Sequence, residues 1–97
     1  MSSSRLEQRL TDVADRLKAL RAELAIADEQ LAHFTDEADD ARLRALVSET
    51  PLAEREHREA AAHADAMRRH RGEVLHSIEQ LERTQDELLD RLVAERS

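Results

Sequence analysis

"LVSETPLAEREH", residues 46–57, holds the one proline of a 97-residue chain that contains a single glycine besides. Thr50 has the chemistry of an N-cap, and Pro51 suits the first helical position, where its missing N–H has no bond to lose. Proline also pushes the residue before it out of helical dihedrals. "SETP" therefore ends one helix and begins another, and the pattern on either side decides the fold.

Upstream, apolar residues step by four and three: Leu6, Leu10, Val13, Leu17, Leu20, Leu24 and Ala27, continuing through Leu31, Phe34, Ala38, Ala41 and Ala45. One heptad register holds throughout, the seam of a coiled coil. Ser4 followed three residues later by Glu7 reads as a capping box at its start. Downstream the pattern resumes as Ala53, His57, Ala60, Ala64, Met67 and Arg71, then Val74, Ile78, Leu81, Gln85, Leu88 and Leu92. Two helices of similar length joined by a short turn must lie antiparallel.

The expected fold is all-α: a long antiparallel two-helix coiled-coil hairpin forming one domain over residues 1–97. Helix one is expected over about 5–47, the turn over about 48–50 at Thr50 and Pro51, and helix two over about 51–95. A rival division takes Thr35 as an N-cap, with Asp36, Glu37, Asp39 and Asp40 in a first turn, and breaks the chain into three helices near 35 and 50. The unbroken seam through Phe34, Ala38 and Ala41 weighs against it.

Pairing across the turn places residues whose numbers sum to roughly 99 opposite one another. Alanine then meets alanine near the turn, Phe34 faces "EAAAHADA", and Gly72 meets Ala27, which implies a close approach of the backbones there. Near the chain ends Leu88, Leu89, Leu92 and Val93 make a stripe wider than a two-helix seam needs. The surplus predicts a second hairpin, hence a homodimeric four-helix bundle, or else another helical protein as partner. Acid-then-arginine pairs four apart recur on the outer faces: Asp12/Arg16, Asp40/Arg44, Glu54/Arg58, Asp65/Arg69, Glu79/Arg83 and Glu87/Arg91.

Composition supports a helical assembly over a layered globule, since 38% of residues are charged and Phe34 is the one aromatic. A net charge of −7 argues against nonspecific nucleic-acid or anionic-membrane binding, which need a positive field. Cysteine is absent, which excludes disulfides and thiolate sites. "MSSSRLEQ" lacks the apolar run of a signal peptide, so the expected location is cytoplasmic. Arginine outnumbers the lone Lys18 fourteen to one, and with the alanine content this fits a high-GC bacterial genome.

Nothing in the chain points to an enzyme. Ser48 and Ser77 have no evident histidine–acid arrangement, and no glycine-rich phosphate loop exists. Neither a cofactor nor a small-molecule substrate is expected. The basic run "RRHR", residues 68–71, faces Asp28 and Glu29 on the cross-turn register and is expected to pair with them. Arg71 and Gln85 are polar residues at seam positions, of the kind that fix register.

Two resemblances offer other readings. Glu54 and His57 in "EREH", like Glu73 and His76, have the Glu-x-x-His spacing that sets both side chains on one helix face. "EREH" is similar to the metal-binding helix of encapsulated ferritins, which implies a small metal-binding bundle; the residues facing it, "RLRA", supply no acid. His63 and His70, with His33 near the facing position, make a second conceivable cluster. Asp36-x-x-Asp39-x-Ala41 resembles the hairpin-tip motif of DksA-type factors, and Gre factors also carry acids at such a tip. That resemblance implies a regulator inserted in the secondary channel of RNA polymerase, with Asp36 and Asp39 near the catalytic magnesium. Asp40 extends the same acidic contact segment.

The leading expectation is a noncatalytic coiled-coil adaptor or regulatory protein–protein interaction module. Its contact residues would be Leu88, Leu89, Leu92 and Val93, with Asp36, Asp39 and Asp40 as a further contact segment.

Overall fold

The computed structural model describes residues 2–97, which form two helices, α1 (Ser2–Ser48) and α2 (Pro51–Arg96). They form an antiparallel hairpin, joined by Glu49 and Thr50. α1 runs unbroken through Thr35, so the three-helix division does not occur. Phe34 and Ala38 hold the seam across that point, which outweighs the local capping chemistry of Thr35 and its acids. Helix formation also begins earlier than expected. Ser4 lies inside α1 and is not its N-cap; Ser3 instead places its hydroxyl 3.5 Å from the Glu7 carboxylate.

The turn closes by two opposite devices. Glu49 adopts the left-handed conformation, with φ 52°, and its N–H donates to the Ala45 carbonyl at 3.0 Å, the single-bond left-handed cap of a helix C-terminus. Thr50 then caps α2: its Oγ1 accepts the Ala53 N–H at 3.2 Å and its carbonyl accepts the Glu54 N–H at 3.1 Å. Pro51 is the first helical residue.

The chain divides into two compact units. One joins the chain through Leu24 to Val74–Ser97. Leu17, Leu20, Val74 and Ile78 are buried there, with Val13, Leu24 and Leu81 packed on them. Leu6 and Leu88 are buried as well. Each such leucine or isoleucine contributes about 1.5–3 kcal/mol before conformational entropy is charged against it. Exposed ion pairs bridge the two helices, Arg21 to Glu82 at 3.2 Å and Arg96 to Glu7 at 2.5 Å. Such pairs add at most about 1 kcal/mol each.

The other unit, Ala25–Glu73, contains the turn and has a different interior. Its buried residues are Ala27, Ala41, Ala45, Ala53 and Ala64, with Leu31, Phe34 and Met67 half-buried. Alanine seams let helices approach toward the near end of the roughly 8–10 Å range, but each buried methyl contributes far less than a leucine side chain. Arg71 is half-buried, and its Nε–H donates to Asp28 Oδ1 across the pair.

Gly72 does not mark the expected close approach. A Cβ built on it meets nothing within 4 Å, because the residue faces solvent while its neighbour Arg71 takes the seam position. The expected four-apart pairs also give way to other partners. Asp65 binds Arg68 at 2.7 Å, three residues on, and His33 Nε2 lies 3.1 Å from Glu37. None of the six four-apart acid–arginine pairs is among the ion pairs of the described residues. Exposed side chains gain too little from pairing to be held in one geometry.

Candidate interaction surface

Every heptad position of the expected seam is buried or half-buried, so the hairpin fills its own interface with the residues the pattern supplies. Large apolar side chains remaining in solvent are therefore surplus to the fold, and they fall in particular places.

In the unit built from the chain ends, Leu88 is 2% exposed and belongs to the seam, and Leu92 is half-buried beside it. Of the four residues expected to meet a partner, that leaves Leu89 and Val93 outside, at 44% and 66% exposure. They sit four apart, one turn of α2, and so present one continuous apolar strip. Leu89 occupies the position next to the seam leucine Leu88.

In the turn unit the exposed set is larger and was not anticipated from the heptad. Leu43 and Leu46 are both exposed, Val47 is 85% exposed, and Leu52 lies exposed just past the turn. The first three are spaced i, i+3, i+4 and share a face of α1 directed away from the Ala41 and Ala45 seam. A signal for them was present. Once Ala41 and Ala45 are assigned to the seam, positions 43, 46 and 47 are outer positions, where large apolar residues need a reason.

Asp36, Asp39 and Asp40 are exposed on α1 and have the same i, i+3, i+4 spacing one heptad earlier. They lie roughly 15 Å along the helix from the turn, so the placement at a hairpin tip that the DksA resemblance implies is not met. Of the three, Asp40 lines a shallow groove with Glu37, Ala41, Arg44, Glu56 and Ala60.

His33 meets a carboxylate, that of Glu37 four residues on, but no larger cluster forms around it. Among the described residues no group of three or more histidine or acidic side chains is placed to hold a metal ion. His63 instead stands edge-on to Phe34 at 5.9 Å, and His33 lies 5.6 Å from the same ring. Phe34, His63, Ala66 and Met67 line an apolar recess of about 300 Å³, a facet made by one half-buried ring among small neighbours. No helix among the described residues is long and apolar enough to cross a membrane. Comparison with protein-family models, with curated proteins and with solved structures returns no match.

Proposed function

We propose that this protein is a noncatalytic interaction module, a helical hairpin that associates through apolar side chains its own seam does not use. The observation that carries the reading is the coexistence of a fully occupied seam with large aliphatic residues left in water. In a chain that is 38% charged, aliphatic side chains at outer positions cost solubility and gain nothing for the hairpin itself.

Leu89 and Val93 beside the leucine-rich seam make a second copy the natural partner of that unit. Two hairpins packed there would form a four-helix bundle of the usual kind, burying the strips against each other. Leu89→Glu combined with Val93→Glu tests this. The expected result is a halved mass in light scattering with helicity retained in circular dichroism. An unchanged mass in the double variant, or a wild-type protein that is monomeric at micromolar concentration, overturns the homodimer.

A further inference from the structure

The outer face of α1 near the turn carries two triads in series. Asp36, Asp39 and Asp40 come first, then Leu43, Leu46 and Val47 repeat the same spacing one heptad on. All six are exposed. Residues 25–41 contain six acidic residues and neither lysine nor arginine, so no lysine or arginine lies within the three turns of α1 that precede the acidic triad. Arg42 and Arg44 flank the face at its seam edges, and the described residues show no ion pair from either to the three aspartates.

We propose that this face docks an amphipathic helix of another protein, one that presents an aliphatic triad followed by a cluster of arginine or lysine. The assignment rests on the interaction-module reading but uses a different surface from the Leu89 and Val93 strip. The apolar triad supplies an i, i+3, i+4 surface against which a helix can lie, and the acidic triad one heptad away sets the orientation by charge. In an antiparallel partner the basic cluster follows the aliphatic residues in sequence, because the acids precede them here. Anionic lipid and nucleic acid are disfavoured occupants, since the three carboxylates would meet phosphates.

A second copy fits this face poorly. The complement it would need is an outer face with several large aliphatics next to unengaged basic residues. Leu89 and Val93 offer two aliphatics, but Asp86 and Asp90 lie beside them and Arg96 is held by Glu7; Leu52 followed by Arg55 and Arg58 offers one aliphatic residue and has Glu59 beside it. In the basic run, Arg68 and Arg71 are already held by Asp65 and Asp28.

The test titrates the full chain into two fluorescent helical peptides. One has leucines at i, i+3 and i+4 with three arginines one heptad later; its twin has glutamates in place of the arginines. The arginine peptide is expected to bind, with affinity falling as salt is raised, and the twin to bind at least about tenfold more weakly. Leu43→Gln, Leu46→Gln and Val47→Gln together should abolish binding, and Asp36→Asn, Asp39→Asn and Asp40→Asn should remove its salt dependence. Glutamine keeps its positions uncharged, asparagine removes the charge of the aspartates at nearly the same size, and circular dichroism verifies that α1 persists. Equal binding of the two peptides, or unchanged binding by the leucine-face variant, overturns the proposal. So does a loss of oligomer mass in that variant, which would assign the face to a second copy. Leu89→Glu with Val93→Glu should leave peptide binding intact, which separates failure of this proposal from failure of the homodimer.

Discussion

Arg71 occupies a seam position of α2, and Asp28 of α1 receives its Nε–H at the edge of that seam. The side chain is 37% exposed, so its aliphatic stem covers the alanine-rich interior while the guanidinium stays wet. An ion pair this exposed contributes at most about 1 kcal/mol, less than a well-packed leucine in the same place. Arg71→Leu is therefore expected to raise the urea midpoint, and Arg71→Ala to lower it slightly. A leucine variant less stable than wild type would show that the Asp28 pairing is worth more than its exposure implies.

Gly72 follows Arg71 and faces open solvent in a helix interior. Its replacement by alanine removes backbone entropy from the unfolded chain and places a methyl group where nothing obstructs it. Gly72→Ala should stabilise by about 0.5–1 kcal/mol in chemical denaturation. Destabilisation would mean that α2 meets a neighbour closely at this point.

The turn has one strained residue and one that relieves cost. Glu49 sits at positive φ with a side chain that disfavours it, so Glu49→Gly should stabilise the hairpin by about 1 kcal/mol. Thr50→Ala removes the acceptor of the Ala53 N–H and should cost about 0.5–2 kcal/mol, whereas Thr50→Ser should be nearly silent. Thermal melts of the three variants check the order, and a silent alanine variant would show that water replaces the cap without loss.

The two units differ in what they bury. Leu17, at 1% exposure, should cost about 2–5 kcal/mol when replaced by alanine, while Leu43→Ala on the outer face should change stability by less than about 0.5 kcal/mol. Amide hydrogen exchange should run faster in Ala25–Glu73 than in the leucine-rich unit, because methyl groups give little burial to oppose local opening. Equal protection in the two would show that close helix approach compensates for the missing side chains.

The heptad arithmetic was enough to read two antiparallel helices, the location of the turn and the whole seam, from Leu6 to Leu92. Period and turn chemistry are local properties, and a hairpin this regular has few other ways to satisfy them. The same arithmetic marks Leu43, Leu46 and Val47 as outer positions, yet a run of aliphatic residues beside a turn reads as ordinary helix until their exposure is seen. Tertiary structure decided the rest. It showed that Gly72 looks outward and does not meet Ala27, that Asp65 binds Arg68 and not Arg69, and that Arg71 reaches Asp28 through its Nε–H. Each of these depends on which way a side chain turns at the edge of a seam, and that direction is set by the opposing helix rather than by spacing along the chain.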